Sequence, residues 1–348
     1  MAPIAMMFLP VFAPVHFNRP MSKNNIQFHD LHSSRNEFAS DVLSGLNHRP
    51  ASIPPKYFYD AKGSKLFDAI TELPEYYPTR TEISILSANA AQIAQHVGTG
   101  SLLVEPGGGS CAKVHILLEG LKPRAYVPMD ISKDHLQLAA EELALAFPWL
   151  EIHAACTDFT QEMRLPSSAP KGTHIAFFPG SSIGNFDPPG AVDFLQAIAE
   201  LVGPDGYLLI GVDLKKDKAI LEAAYDDAEG ITALFNLNLL TRINRELAGD
   251  FDLSKWQHKA LYNDSIGRIE MYLVSQIDQA VNINGTIFDF VEGETIHTEN
   301  SYKYTVDEFI TLAAKADFQS DALWLDDNNL FSVHLFRVRQ NNEAIKVI

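Results

Sequence analysis

The stretch LLVEPGGGS at residues 102–110 decides the fold of this chain. An apolar run stops at a carboxylate, a glycine cluster follows, and the helix-like segment 112–121 begins at once. Glycines at such a place let the backbone turn openly and approach a ligand without side chains in the way. A second apolar run, residues 125–129, ends in Asp130, about twenty residues after the glycines. This layout is typical of a βαβ unit that binds a nucleoside, with the second carboxylate placed to accept both ribose hydroxyls.

A third strand-like run, residues 152–157, ends in Asp158 and Phe159. A carboxylate beside an aromatic ring suits an adenine, because the carboxylate accepts the exocyclic amine and the ring stacks on the base. Ligands of open parallel sheets lie outside the carboxyl ends of the strands, so the three strand ends share one edge. Together they offer groups for an amino acid moiety, a ribose and an adenine, which describes S-adenosylmethionine. The full G-x-G-x-x-G spacing of a dinucleotide site is missing, and the sequence therefore predicts a Rossmann-like methyltransferase rather than an oxidoreductase.

The composition is that of an ordinary globular protein and restricts its partners. Hydrophobic residues make up 46% and charged residues 20% of the 348 residues. A net charge of −17 argues against binding to nucleic acid or to an anionic membrane, because phosphate attraction needs a basic surface. The two cysteines cannot build a disulfide framework, and no Cys/His spacing resembles a zinc site. We expect a cytoplasmic enzyme that acts as a monomer and holds no metal.

The first residues of the chain do not read as a secretory signal. Residues 1–17 are apolar but are interrupted by Pro3, Pro10 and Pro14, and they lack the positive region that precedes a signal helix. We interpret residues 1–21 as an over-called start or a disordered leader.

The periodicity of the remaining chain predicts two interleaved domains. Strands and helices alternate from residue 80 to Val212, which favours a parallel sheet with right-handed crossovers. The rhythm then changes to a long helical pattern over residues 219–247 and to hairpin-like alternation over 258–277 and 281–291. Thr305 and Glu308 form a capping-box pattern before a helix, and residues 331–338 are predicted to close the sheet.

We therefore predict an α/β fold, a Rossmann-like class I methyltransferase sheet domain with a second, inserted α+β domain. The sheet domain would comprise residues 80–215 and 302–348. The acceptor domain would combine residues 22–79 with the insertion 216–301.

Six short motifs, in this order and spacing, resemble the histidine-specific Nα-methyltransferases of ergothioneine biosynthesis over roughly residues 52–338. They are KYFYD (56–60), LPEYYPTR (73–80), FPGSSIGNF (178–186), AYDDA (224–228), IEM (269–271) and TENSYKY (298–304). Members of that family use S-adenosylmethionine to trimethylate the α-amino group of free histidine, which gives hercynine. The resemblance therefore implies S-adenosylmethionine as cofactor and free L-histidine as substrate.

The same resemblance implies roles for individual residues. Asn185 and Tyr225 would hold the carboxylate of the acceptor, with Asn185 close to its amine as well. The cofactor would contact Gly107, Lys113, Asp130, Asp158 and Phe159. The acceptor pocket would be lined by Tyr59, Phe67 and Tyr76.

Glu299 and Ser301 would bind the two imidazole nitrogens, and Met271 would pack against the ring. Physical chemistry agrees, since a carboxylate and a hydroxyl can satisfy both ring nitrogens. An apolar pocket would leave each nitrogen unpaired at a cost of about 1–3 kcal/mol. None of the twelve histidines is assigned a role.

Two alternatives remain at the level of sequence. The first is a methyltransferase of the same family that acts on a tryptophan-like or another amine. Relatives in that family methylate tryptophan derivatives and share the donor half, but Glu299 with Ser301 favours histidine. A nonenzymatic protein that only binds S-adenosylmethionine would need no organised acceptor pocket, and the aromatic patch at Tyr59, Phe67 and Tyr76 argues against it.

Overall fold

The computed structural model describes residues 25–31, 37–161 and 163–339, so the interpretation of the leader lies outside the described residues. The helices are α1 Glu37–Asn47, α2 Ala61–Thr71, α3 Tyr77–Val97, α4 His115–Leu121, α5 Lys133–Ala146, α6 Pro188–Val202, α7 Lys218–Ala223, α8 Ile231–Leu247 and α9 Val306–Ala314. The strands are β1 Ile26–Asp30, β2 Ala51–Ser52, β3 Leu102–Pro106, β4 Ala125–Asp130, β5 Glu151–Cys156, β6 His174–Phe178, β7 Tyr207–Asp213, β8 Trp256–Asn263, β9 Arg268–Ser275, β10 Gln279–Ile283, β11 Thr286–Phe290, β12 Thr295–Tyr302, β13 Phe318–Leu325 and β14 Phe331–Val338.

Within the described residues, eight strands form one sheet in the order β1-β5-β4-β3-β6-β7-β14-β13. Neighbouring strands in the run β1-β5-β4-β3-β6-β7 pair in parallel, whereas β14 runs antiparallel to both β7 and β13. The chain leaves β3 first to one side, for β4 and β5, and then to the other, for β6 and β7. Such a switch of direction opens a crevice at the carboxyl ends of the strands, which is where ligands of open α/β sheets bind. The predicted α/β fold is confirmed.

One expectation about the sheet is wrong. Residues 331–338 do form a strand, but β14 does not close the sheet, because β13 lies outside it at the edge. Strands were expected in the C-terminal segment 302–348, but the position of β13 was not predicted, and β1 was not expected. In β13 only Phe318 and Trp324 are buried, and in β1 no residue is, so neither edge strand carries the apolar pattern by which a strand is recognised in a sequence.

A second layer combines the N-terminal segment with the segment that follows β7. The short strand β2 pairs in parallel with β12, which belongs to the sheet β2-β12-β9-β8. The hairpins β8–β9 and β10–β11 lie where alternation predicted them. Helix α8 packs on this sheet, and side chains from both segments share one hydrophobic core that includes Val42, Phe58, Leu239 and Leu273.

The long helical pattern over residues 219–247 does not form one continuous helix. Helix α7 ends at Ala223, and α8 begins only at Ile231 after a turn. The Asp227 carboxylate accepts the backbone N–H groups of Ile231 and Thr232 at 2.9 and 2.7 Å, which satisfies donors that α8 would otherwise leave unpaired. The sequence places Tyr225 in this turn, so the break positions a residue of the expected acceptor site.

Candidate active site

The glycine loop after β3 and the end of β4 fit together at the crevice. Gly107 has a positive φ of 75°, a conformation that favours glycine, and its N–H donates to the carbonyl oxygen of Met129 at 2.7 Å. A Cβ atom at Gly109 would lie 2.6 Å from Oδ2 of Asp130, so only glycine leaves that carboxylate in place. The N–H of Ser132 donates to Asp130 Oδ1 at 2.8 Å. Burial raises the pKa of Asp130, and these backbone hydrogen bonds oppose the rise.

The third strand end brings Asp158 and Phe159 to the same edge. A Cβ atom added to Gly107 would lie 3.5 Å from the Phe159 ring, so loop and ring are in contact. Asp158 Oδ1 accepts the hydroxyl and the N–H of Thr160, and Oδ2 accepts the ammonium of Lys56 at 2.9 Å. Burial opposes ionisation of Asp158, but these hydrogen bonds outweigh it and lower its pKa. Lys56 ties the N-terminal segment to the donor edge, a contact that the sequence analysis missed.

Lys113, expected to contact the cofactor, forms an ion pair that the sequence did not reveal. Its ammonium lies 2.5 Å from the carboxylate of Glu82 on α3, which is fully buried. Glu82 also accepts the N–H of Gly180 at 2.9 Å. A Cβ atom at Gly211 would lie 1.9 Å from this carboxylate, so glycine is required beside it. Glu82 therefore fixes both Lys113 and the start of the loop that leads to Asn185.

Four aromatic side chains form a continuous wall in the second layer. Ring centroids are separated by 5.6 Å between Tyr59 and Phe67, by 6.3 Å between Phe67 and Tyr76, and by 6.3 Å between Tyr76 and Tyr225. The rings meet edge to face, the arrangement that aromatic pairs favour. The structure thus brings the expected pocket residues together.

Strand β12 carries the two polar residues expected to bind the imidazole. Glu299 and Ser301 are two positions apart, so their side chains point to the same face, and Met271 of β9 lies directly opposite Glu299. A β-bulge at His297–Glu299 shifts the strand register just before Glu299. Bulges are frequent next to active sites, where they change the direction of a side chain. Burial raises the pKa of Glu299 to about 7, and the positive charge of Lys303 opposes that rise.

A network of buried charges lies beneath Ser301 and was missed by the sequence analysis. The fully buried ammonium of Lys303 donates to Ser301 Oγ at 2.8 Å and to the Tyr225 hydroxyl at 3.1 Å, and it pairs with Asp213 at 2.7 Å. The Tyr225 hydroxyl donates to Ser301 Oγ at 2.8 Å. Asp213 also accepts Tyr77 at 2.8 Å and Lys216 at 2.5 Å. The only sequence signal was that Asp213 directly follows Val212, where the predicted alternation of strands and helices ends.

Asn185 ends a 3₁₀ turn, Ser182–Asn185, between β6 and α6. A Cβ atom at Gly184 would lie 2.7 Å from the carbonyl oxygen of Tyr302, so this glycine lets the turn pack directly on β12. Asn185 is half-buried. The turn thus approaches β12 from the sheet domain.

The donor edge and the aromatic wall are linked by one segment of the chain. Lys56 binds Asp158 at 2.9 Å, and Tyr59 directly follows the 3₁₀ turn that carries Lys56. Burial, followed by the nearby charges of Glu299 and Asp130 among others, raises the pKa of the Tyr59 hydroxyl well above its ordinary value. The arrangement can therefore hold a nucleoside at the strand ends and a small polar acceptor directly beside it.

A buried histidine near this site has a structural part. His258 bonds through Nε2 to the carbonyl oxygen of Tyr225 and through Nδ1 to Asn236, at 2.9 and 2.8 Å, and burial lowers its pKa. It fixes the turn that carries Tyr225.

Within residues 25–31, 37–161 and 163–339, we find no group of three or more His, Cys, Asp or Glu side chains that could hold a metal ion. Every helix in those ranges is too short or too polar to cross a bilayer.

The parallel sheet, the glycine loop and the carboxylates at successive strand ends define a Rossmann-like methyltransferase that uses S-adenosylmethionine. A model of the histidine-specific, S-adenosylmethionine-dependent methyltransferases matches residues 38–338. Histidine N-alpha-methyltransferase of Mycolicibacterium smegmatis is 40% identical over 302 residues, which cover 85% of this chain and 93% of the relative. This chain belongs to the family of histidine-specific, S-adenosylmethionine-dependent methyltransferases, and the resemblance stated from its motifs is confirmed.

Two more distant relatives show the breadth of the similarity. Ergothioneine biosynthesis protein 1 of Neurospora crassa is 30% identical over 298 residues, which cover 82% of this chain and 33% of that protein. A 4-dimethylallyltryptophan N-methyltransferase of Epichloe festucae var. lolii is 26% identical over 340 residues, which cover 88% of this chain and 96% of the relative.

Proposed function

We propose that this protein transfers methyl groups from S-adenosylmethionine to the α-amine of free L-histidine and yields Nα,Nα,Nα-trimethylhistidine (hercynine), the first step of ergothioneine biosynthesis. The observation that carries the proposal is the pair Glu299 and Ser301, which share one face of β12, with Ser301 bonded to Tyr225 of the aromatic wall. The name and 40% identity of the mycolicibacterial relative support it. We further propose that the enzyme acts as a cytoplasmic monomer without nucleic acid or membrane partners. The net charge of −17 supports the absence of nucleic acid and anionic membrane partners.

In this proposal the donor lies along the ends of β3, β4 and β5. Asp130 accepts the ribose hydroxyls, Asp158 accepts the adenine amine, and Phe159 stacks on the base. Gly107 approaches the ligand, and Lys113 contacts it while it stays paired with Glu82. Asp158 retains acceptor capacity beside Lys56, because each carboxylate oxygen has two lone pairs.

The acceptor lies in the second layer, between β12 and the aromatic wall. Glu299 accepts the N–H of the imidazole, Ser301 donates to the other ring nitrogen, and Met271 packs against the ring. Tyr59, Phe67 and Tyr76 enclose the side chain. Asn185 holds the carboxylate at the amino acid end, so that the amine points toward the donor edge. Tyr225 lines that end with its ring, because its one hydroxyl proton is donated to Ser301 Oγ.

Methyl transfer from a sulfonium needs little chemical help, because the donor carries its own leaving group. The residues of this chain therefore act chiefly by aligning the amine with the methyl group. The amine must be neutral to react, and a pocket that fixes the ring and the carboxylate keeps it oriented through successive transfers.

The proposal predicts the loss of histidine turnover on substitution of Glu299. Purified wild type, incubated with S-adenosylmethionine and each free amino acid, should give +14, +28 and +42 products with histidine in mass spectrometry. Glu299→Ala should reduce kcat/KM for histidine at least about tenfold, since a hydrogen bond to a charged group contributes about 1.5–3 kcal/mol. Donor affinity, measured by calorimetry, should stay near wild type.

Glu294→Ala provides a matched control, because Glu294 lies just before β12 and binds Arg49 at the surface instead. An indole acceptor should suffer less than histidine in Glu299→Ala, because a site with polar groups rejects ligands that leave them unpaired. If histidine turnover were intact in Glu299→Ala, or if wild type preferred a tryptophan derivative, the substrate would be that of the tryptophan-methylating relatives and not histidine.

A further inference from the structure

Lys303 is fully buried at the end of β12 and belongs to no role considered so far. Its ammonium reaches three acceptors: Ser301 Oγ, the Tyr225 hydroxyl and the Asp213 carboxylate, at 2.8, 3.1 and 2.7 Å. A buried ammonium is retained only where such partners replace its water. Two of these partners are residues of the acceptor site, so Lys303 acts on that site from behind.

The hydrogen bonds around Ser301 determine what it can offer a ligand. A serine hydroxyl has one proton to donate and two lone pairs. Lys303 and the Tyr225 hydroxyl both donate to Ser301 Oγ, and they occupy both lone pairs. The serine can then act only as a donor, and a ring nitrogen facing it must be bare.

Lys303 also affects the charge of Glu299, which faces the other ring nitrogen in the proposed function. Burial raises the pKa of Glu299 to about 7, and Lys303 is the cation that opposes the rise. The other titratable groups that act on Glu299 or feel its charge are the hydroxyls of Tyr59, Tyr76 and Tyr225, whose own pKa values are well above the ordinary range because of burial. These hydroxyls stay neutral at neutral pH, so the charge of Glu299 depends on Lys303.

We propose that Lys303 is a positioning residue for substrate specificity: its ammonium orients Ser301 as a donor and places positive charge behind Glu299, so that the pocket accepts a neutral azole ring with one N–H and one bare nitrogen. The proposal rests on the proposed function, since it assigns the tautomer and protonation state of the histidine ring. The imidazolium ion is rejected, because its second N–H would meet the Ser301 proton.

The test measures histidine binding to the complex of the full-length protein with S-adenosylhomocysteine, by calorimetry from pH 6.5 to 9. Lys303→Met should weaken histidine binding at least about tenfold at pH 7.5 and leave S-adenosylhomocysteine binding within about twofold of wild type. The loss of histidine affinity in Lys303→Met should become smaller toward pH 9, because Glu299 then ionises without help from Lys303. A merely structural lysine would give no such pH dependence.

Lys216→Met is the matched control. Lys216 shares Asp213 with Lys303 and donates to Tyr77, but it has no hydrogen bond to Ser301 or Tyr225 among the described residues. The Lys216→Met variant should have a histidine affinity close to that of wild type, even if its melting temperature falls. Asp213 keeps Lys216 and Tyr77 as partners in Lys303→Met, so that variant leaves no orphaned carboxylate.

Should Lys303→Met fail to fold, Lys303→Gln keeps a polar donor on a slightly shorter side chain and removes the charge. The pH-dependent loss of histidine affinity should persist in that variant. The proposal is overturned if the folded variant binds histidine like wild type, if its deficit is constant with pH, or if Lys216→Met is equally impaired. If wild type itself does not bind histidine, the proposed function fails instead.

Discussion

The Asp130 carboxylate is held in one position beside Gly109, and the proposed donor site depends on that carboxylate. Asp130→Asn keeps the shape of the side chain but replaces charged acceptors by weaker ones. We expect S-adenosylhomocysteine affinity to fall at least about tenfold, since hydrogen bonds to a charged group contribute about 1.5–3 kcal/mol. Calorimetry measures the change. Asp134→Asn, on the exposed first turn of α5, is the control and should bind like wild type; equal affinities in the two variants would place the ribose elsewhere.

Residues at strand ends could be predicted from the sequence, whereas buried charges could not. Asp130 and Asp158 follow apolar runs, and the periodicity of those runs fixes the edge at which they lie. Lys303, Lys216 and Glu82 follow no such rule, because charged residues are usually solvated and a sequence does not show which ones have buried partners. The partners of Glu82, for example, are Lys113 and Gly180, which lie 31 and 98 positions away along the chain. Only folding brings these residues together.

The turn between α7 and α8 is the element on which the position of Tyr225 depends. Asp227→Ala removes the acceptor for two N–H groups at the start of α8, and loss of such a cap costs about 0.5–2 kcal/mol. We expect a lower melting temperature together with a higher KM for histidine, while S-adenosylhomocysteine affinity stays unchanged.

Asp252→Ala serves as the control for this turn. Asp252 accepts the N–H and hydroxyl of Ser254 in an exposed 3₁₀ turn that contributes no residue to the proposed site. Its KM for histidine should match wild type. A normal KM in Asp227→Ala would mean that Tyr225 is positioned without the turn, for example by His258 alone.

Elements with strong local signals were predicted well, and those with weak ones were not. The capping box at Thr305 and Glu308 is present, and β8 and β9 form the expected hairpin. Alternation and capping are local, so they survive in the sequence. The break in the helix over residues 219–247 was missed because the Asp227 side chain, rather than proline, interrupts a helical apolar pattern.

At the scale of the whole molecule, the pairing of distant segments creates the site. Strand β2 joins β12 across more than two hundred positions, with Ala51 opposite Ile296, and Lys56 binds Asp158 at the donor edge. The N-terminal segment therefore contacts both the second layer and the sheet domain. The sequence analysis combined the two segments into one predicted domain, but periodicity could not show which of their strands pair, because the partners lie so far apart in the chain.

The pH dependence of stability tests the electrostatics of the whole ligand-free protein. Burial raises the pKa of both Glu105 and Glu299 to about 7, whereas an unfolded glutamate titrates near 4.3. Between these values the folded state binds more protons than the unfolded state, so the free energy of unfolding should rise as pH falls from about 7.5 to 6.5. Lys216, whose pKa burial lowers to about 8, acts mainly above this window.

Below about pH 6.5 the buried histidines act in the opposite direction. Burial lowers the pKa of His258 and lowers that of His334 to about 4, so the unfolded state binds the extra protons there and stability should level off or fall. We expect the melting temperature to increase from pH 7.5 to 6.5 and then to stop increasing. Glu105→Gln mimics the neutral carboxyl and should flatten the first part of this curve, whereas Glu119→Gln at the surface should not. A melting temperature that falls steadily on acidification from pH 7.5 would show that Glu105 and Glu299 are ionised in the folded protein.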